Sequence, residues 1–208
     1  MEKYKVKSIF GPTLQGEGSY AGTVVLFLRF AGCNRWSGLE KDRKKSFCNF
    51  CDTDFRGGEP LSAAEILAKL EALNGPKRVV ITGGEPTLQI DGELLALLRE
   101  NGYEIHLETN GSKNLGNLRH LINHVTLSPK QSRELTQLEY CDDLKLLFPL
   151  PDSDVSMDSF GDFPSRQKFL QPVMDQNYES NLKQTISALL ETKDWRLSLQ
   201  THKIAGVE

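Results

Sequence analysis

The sequence predicts an α/β fold: an incomplete, open TIM-like β/α barrel of parallel strands. Three observations carry this. Apolar runs of strand length alternate with helically periodic segments through most of the 208 residues, which implies a parallel sheet with right-handed crossovers. About seven β/α units fit this length, short of the eight that close a full barrel. No G-x-G-x-x-G follows the first strand, which argues against a Rossmann sheet. The chain reads as one domain, 1–208, in which 1–23 form an N-terminal strand and Gly-rich loop and 34–47 form an insertion.

Residues 5–10 suit a short strand leading into the loop Gly11-Pro12-Thr13-Leu14-Gln15-Gly16-Glu17-Gly18. Residues 24–30 form a buried strand by length and β-branched content. Ser62-Ala63-Ala64-Glu65 is a capping box, and Ile66, Leu67, Leu70 and Leu73 behind it share one helical face. Then follow a strand at 78–82, a helix at 94–100 closed by Asn101-Gly102, and a strand at 103–108. A helix at 114–122 and strands at 125–128 and 143–148 come next. Residues 149–165 are rich in Pro, Asp, Ser and Gly and read as loop. A strand at 168–171, a helix marked by Leu182, Ile186, Leu189 and Leu190, and a strand at 196–200 complete the chain.

The 38% hydrophobic and 25% charged fractions are those of a soluble globular protein, and a net charge of -3 gives no general pull toward nucleic acid. The cations at 41–45 are interleaved with Asp42 and preceded by Glu40, as on a solvated loop, with a partner-docking patch as the alternative. No run approaches the ~20 apolar residues of a membrane span. No h-region follows Met1-Glu2-Lys3-Tyr4. The expectation is a cytoplasmic protein with reduced thiols, whose four cysteines serve metal binding or catalysis.

The polar clusters share a topological position. Cys33, Gly83-Gly84-Glu85-Pro86, Glu108-Thr109-Asn110-Gly111, Ser128-Pro129-Lys130, Gln171-Pro172 and Thr201-His202-Lys203 each follow or end a strand. In a parallel barrel all of these lie on the carboxyl-end rim, where active sites form.

Cys33, Cys48 and Cys51 are spaced C-x14-C-x2-C. Three thiolates can hold three corners of a 4Fe-4S cluster and leave one iron open for chemistry, whereas structural zinc takes four ligands. Cys141 is the remaining thiol, but it precedes a strand and belongs at the opposite end of the sheet, as a small buried hydrophobe. An open iron needs a chelating amine and carboxylate. The two glycines of Gly83-Gly84-Glu85-Pro86 allow close backbone approach to a ligand, and Glu85 can accept from an ammonium group. The bland alternative is a strand-to-helix turn with Pro86 at the helix start.

A cysteine triad after the first barrel strand with GGEP after the second resembles the radical S-adenosylmethionine superfamily. That superfamily's usual spacing is C-x3-C-x2-C, so the interval 34–47 departs from it. Leu14-Gln15-Gly16-Glu17-Gly18, Phe27-Leu28-Arg29-Phe30-Ala31-Gly32-Cys33, Cys51-Asp52-Thr53, Thr82-Gly83-Gly84-Glu85-Pro86, Glu108-Thr109-Asn110-Gly111, Ser128-Pro129-Lys130 and Gln200-Thr201-His202-Lys203 are similar to the 7-carboxy-7-deazaguanine synthase family. The long cysteine interval is similar to a subset of that family.

The resemblance implies a lyase of 7-deazapurine (queuosine precursor) biosynthesis, acting on 6-carboxy-5,6,7,8-tetrahydropterin with loss of ammonia. It implies a 4Fe-4S cluster on the three cysteines, S-adenosyl-L-methionine and Mg2+. Phe50, Cys51, Asp52, Gly83, Gly84, Glu85, Ser128, Lys130 and Gln171 are the expected cofactor contacts. Leu14, Gln15, Gly16, Glu17, Arg29, Thr82 and Glu208 are the expected substrate contacts, and Thr53 the expected Mg2+ ligand. A reductant such as flavodoxin or ferredoxin and a homodimer are implied as well.

Several of these residues have plainer alternatives. Arg29 alternates with Val25 and Phe27 toward the barrel interior, where it binds a carboxylate of the substrate or pairs with a protein acid. Gln15 and Glu17 suit a pterin edge or a solvated turn. Thr82 reads as a strand-end cap, Ser128-Pro129-Lys130 as a plain turn and Glu208 as a frayed tail. For magnesium the residues alone favour Asp52 or Asp54 over Thr53. His106, His120 and His124 receive no role, and His202 is at least as well read as structural. Two other functions compete: an activase that makes a glycyl radical on a partner protein, and a non-catalytic zinc module.

Overall fold

The computed structural model describes residues 3–46, 48–51, 53–150 and 153–207. Among them, nine strands make one sheet: β1 (Tyr4–Leu14), β2 (Val24–Phe30), β3 (Glu59–Leu61), β4 (Arg78–Gly83), β5 (Glu104–Thr109), β6 (His124–Leu127), β7 (Cys141–Phe148), β8 (Ser165–Pro172) and β9 (Trp195–Leu197). Their spatial order is β3-β1-β2-β4-β5-β6-β7-β8-β9. From β2 to β9 every neighbouring pair is parallel, while β1 pairs antiparallel with β2 and β3 at one edge. No strand pairing among the described residues joins β9 to the other edge, so the barrel is open as the sequence predicts.

The helices are α1 (Ala63–Ala72), α2 (Gly92–Glu100), α3 (Met157–Phe160), α4 (Tyr178–Leu190) and α5 (Thr201–Ala205). Ser62 and Glu65 make the reciprocal capping box at α1, and the Asp91 side chain caps Leu94 N–H at α2. The helix expected at 114–122 is instead a 3₁₀ segment, Gly116–Leu121. Gly116 takes φ 49° there, outside the right-handed helical region. Within 149–165, read as loop, Ser156 and Ser159 cap the short α3.

Strand alternation divides the side chains in two. Leu26, Leu28 and Phe30 of β2 join Ile66, Leu70, Leu94, Leu95 and Leu98 in the core between sheet and helices. The other face of β2, with Phe27 and Arg29, lines the barrel interior. Likewise Leu144 and Leu146 of β7 enter that core, while Lys145 and Leu147 face the interior cavity.

The helix marked by Leu182, Ile186, Leu189 and Leu190 forms as α4, with Leu189 packed on the core, but not all of these residues turn inward. Ile186 is 41% and Leu190 82% exposed, whereas Asn181 and Thr185 are buried. Polar bonds set the rotation of this helix. Asn181 Nδ2 donates to the Val173 carbonyl at 2.9 Å, and Thr185 Oγ1 donates to the Asn181 carbonyl at 2.7 Å, with the Phe148 carbonyl 3.4 Å away.

Candidate active site

The carboxyl ends of the parallel strands surround one cavity of about 340 Å³. Cys33, in the loop after β2, and Cys48 and Cys51, in the next loop, all line it, none of them in a disulfide. Burial pushes the Cys48 thiol up to about 11, opposed by Lys130 and reinforced by the two neighbouring cysteines. No three His, Cys, Asp or Glu side chains among the described residues converge on a single-ion site. Cys141 sits at the far, amino end of β7, fully buried, and burial raises its thiol above the ordinary range.

Gly83 and Gly84 line the cavity beside these thiols. Their need for glycine has a cause the sequence does not reveal. A Cβ on Gly83 would lie 2.2 Å from Phe30 O, and one on Gly84 would lie 2.0 Å from Gly32 O and 2.9 Å from Cys33 Cβ. The glycines let the β4 loop press against the loop that carries Cys33. Gly84 N–H and Glu85 N–H then donate to Phe30 O and Gly32 O at 3.3 and 3.0 Å.

The Glu85 side chain requires a correction. It was expected to accept from a cofactor ammonium group, but it is fully buried behind the cavity wall. Its Oε1 accepts from Thr87 N at 3.1 Å, Thr87 Oγ1 at 2.6 Å and Thr109 Oγ1 at 2.7 Å, and its Oε2 accepts from Asn110 N at 2.7 Å. These bonds satisfy the carboxylate inside the protein and lock the β4 loop to the end of β5.

Arg29 and Thr82 are register partners on β2 and β4, and both face the cavity. The Arg29 guanidinium lies 5.3 Å from the Phe10 ring centre, and Phe10 stacks on Phe27 with 5.0 Å between centroids. Arg29 Nε is buried without a hydrogen-bond partner among the described residues. Among the described residues Arg29 makes no salt bridge to a protein acid. A half-buried cation whose Nε has no partner among the described residues, beside an aromatic shelf, suits an anionic, planar ligand.

Leu14, Gln15 and Glu17 line the opposite wall, but Gly16 does not. The Gly16 carbonyl accepts from Thr201 N at 3.0 Å and Thr201 Oγ1 at 3.1 Å, and a Cβ there would strike His202 Nδ1. Nor is Glu17 a solvated acid: its carboxylate accepts from Lys145 Nζ and, at 2.7 Å, from Gln200 Nε2. Burial alone would raise its carboxyl, yet the Lys145 charge and these hydrogen bonds hold it at about 2.

Sequence reasoning missed Lys145. Its ammonium also reaches Glu108 Oε2 at 3.0 Å, and Gln15 Nε2 donates to Glu108 Oε1 at 3.3 Å. Burial opposes the Lys145 charge, but the carboxylates of Glu108 and Glu17 outweigh it and raise Lys145 above the usual ammonium range. Burial keeps Glu108 above the usual carboxylate range despite Lys145. The detectable signal was a lysine at 145 sharing a strand face with Asp143 and Leu147, between the core positions Leu144 and Leu146.

The Tyr20 ring lies tilted against His106, with 4.2 Å between centroids, and edge-on to His124 at 4.9 Å. Asp143 accepts from Ser19 N at 2.8 Å and Ser19 Oγ at 2.6 Å, which ties the 15–20 loop to β7.

The remaining expected residues fall as follows. Phe50, Thr53, Ser128, Lys130 and Gln171 line the cavity. Lys130 Nζ donates to Ser128 Oγ at 2.6 Å, and Gln171 Oε1 accepts from Ser198 Oγ at 2.9 Å. Burial lowers the Lys130 ammonium, with the Cys48 thiol opposing. Asp54 is taken up by Lys7 Nζ at 2.8 Å and by Arg56. Asp52 and Glu208 lie outside the described residues.

Residues 45–142 match the Radical SAM superfamily model. A 7-carboxy-7-deazaguanine synthase of Bradyrhizobium diazoefficiens is 41% identical over 98% of this chain and 99% of its own length. Those of Caulobacter vibrioides and Bordetella pertussis are each 39% identical with the same coverage. The crystal structure of QueE from Escherichia coli has the same fold, with a TM-score of 0.69 over 95% of this chain and 93% of that one, at 23% identity. Near-complete coverage at such identity, joined to the cysteine triad and glycine wall on one rim, places this chain in the 7-carboxy-7-deazaguanine synthase family of the radical SAM superfamily.

Proposed function

We propose that the chain converts 6-carboxy-5,6,7,8-tetrahydropterin to 7-carboxy-7-deazaguanine with release of ammonia. The observation that carries this is Arg29 Nε, without a hydrogen-bond partner among the described residues, in the cavity that the three cysteines also line. The relatives named above are called 7-carboxy-7-deazaguanine synthases, and their product's carboxylate is the anion Arg29 would bind.

Cys33, Cys48 and Cys51 would hold a 4Fe-4S cluster, since all three line the cavity and none is in a disulfide. The cluster and S-adenosylmethionine, when bound, supply a carbon radical that abstracts hydrogen. The protein's own work is placement and exclusion of water. Arg29 pairs with the substrate carboxylate, and the Phe10–Phe27 shelf covers the ring face. Gln15, Glu17 and Glu108 offer acceptors to the guanidine-like edge, and Lys145 keeps the two acids apart in role and fixed in place. Phe50, Gly83, Gly84, Ser128, Lys130 and Gln171 lie on the same cavity and would contact the cofactor, with Thr82 and Leu14 on the substrate side.

Thr53 would hold Mg2+, because it faces the cavity while the Asp54 carboxylate is engaged by Lys7 and Arg56. The chain would act as a homodimer and take its electron from a reductant such as flavodoxin or ferredoxin. No helix among the described residues is long and apolar enough to cross a membrane.

Pterin binding to the Arg29→Ala chain, followed by quenching of pterin fluorescence, tests the anchor. A charge-assisted bond is worth roughly 1.5–3 kcal/mol, so affinity should fall about 10- to 150-fold. Wild-type affinity in Arg29→Ala would remove the anchor. The activase reading is separated by ammonia: it is released with the pterin by the lyase and not by a glycyl-radical activase.

A further inference from the structure

Trp36 and Arg43, between Cys33 and Cys48, are packed against both cysteine loops. Trp36 lies edge-on to Phe55, with 5.7 Å between centroids, and on its other contact the Arg43 guanidinium sits 4.2 Å from the ring centre. Phe55 is 3% exposed, and its carbonyl accepts from Gly32 N at 2.9 Å, next to Cys33. Trp36 Nε1 donates to Leu39 O at 3.2 Å, so the indole is fixed at both ends.

Arg43 carries the stack across to the other two cysteines. Its Nη1 donates to Asn49 O at 3.0 Å and to Cys51 O at 2.9 Å. Its Nε is held by Glu40 at 2.8 and 2.9 Å. The turn it grips is closed by Cys51 N donating to Cys48 O at 3.1 Å. Gly38, at φ 78°, brings this segment so close to Phe55 and Arg56 that a Cβ would lie 2.7 Å from Arg56 Cγ.

We propose that Phe55, Trp36 and Arg43 form a strut that sets the Cys48–Cys51 turn in place relative to Cys33, with Arg43 as a positioning residue and a fixed positive charge beside the cluster. The guanidinium is suited to this because its planar fork can stack on an indole and bridge two carbonyls at once; an ammonium cannot do both. Outer groups that orient ligands govern metal retention, and charge beside an iron–sulfur cluster governs its potential. The inference concerns cluster binding alone and does not depend on the pterin.

The test uses anaerobically reconstituted protein, with Arg43→Met and Arg43→Lys compared with wild type. Two quantities are read: the rate of iron release to a chelator, and the cluster's midpoint potential followed by EPR. Arg43→Met should lose iron about tenfold faster or more, and its potential should be more negative. Arg43→Lys should release iron nearly as fast, yet keep a potential close to wild type. Cluster-free thermal unfolding of each variant controls for folding, and Trp36→Phe should reproduce the faster release if Arg43→Met proves unstable. The proposal is overturned if Arg43→Met matches wild type in both readouts, or if the Met and Lys variants share one shifted potential.

Discussion

Lys145→Met is expected to cripple both stability and turnover. The side chain is buried, and its ammonium is the cation shared by the carboxylates of Glu17 and Glu108. Removing one partner of a buried ionic cluster strands the others and costs about 3–5 kcal/mol. Urea unfolding of the cluster-free chain reads that loss directly. The loss should depend on pH. In the wild-type chain the Glu17 carboxyl is held at about 2, below its unfolded value. Its contribution is therefore present above about pH 4.3, the unfolded glutamate value, and is lost as pH falls toward the folded one. The gap between wild type and Lys145→Met should be widest near neutral pH and shrink on acidification. Turnover should drop with it, because Gln15 and both acids lose their common anchor. A variant that unfolds within about 0.5 kcal/mol of wild type, the range of ordinary surface changes, would show that Lys145 is not the keystone described.

Gly84→Ala should prevent stable cluster loading. The added methyl would lie 2.0 Å from Gly32 O, which is backbone and cannot rotate away. The β4 loop and the Cys33 loop must separate, breaking the Gly84 and Glu85 N–H bonds to Phe30 O and Gly32 O. Overpacking of this kind costs about 1–3 kcal/mol, and the strain falls on the peptide next to Cys33. Iron content after anaerobic reconstitution should fall well below wild type. Gly92→Ala is the control, since nothing lies within 4 Å of the Cβ it would add. Wild-type iron in Gly84→Ala would mean that the close approach is not required.

The readable parts of this protein were those written in local pattern. The parallel alternation, the capping box at Ser62 and the inward face of Arg29 follow from periodicity and spacing. Three features did not follow, because side-chain hydrogen bonds that no periodicity reveals decide them. Glu85 drew attention through its motif, but its acceptors' use depends on Thr109 and Asn110, 24 and 25 residues on. The rotation of α4 is decided by Asn181 and Thr185 reaching the ends of neighbouring strands, against the leucine pattern. Lys145 pairs with Glu17 across 128 positions, and only the folded sheet brings them together. The glycines at 83 and 84 suggest close approach to a ligand, and the contacts they make are with the chain's own backbone.

The central claim is the reaction. Reconstituted protein given dithionite, S-adenosylmethionine, Mg2+ and 6-carboxy-5,6,7,8-tetrahydropterin under anaerobic conditions should form 7-carboxy-7-deazaguanine and ammonia in equal amounts. An intact cluster that cleaves S-adenosylmethionine while the pterin is recovered unchanged would contradict it.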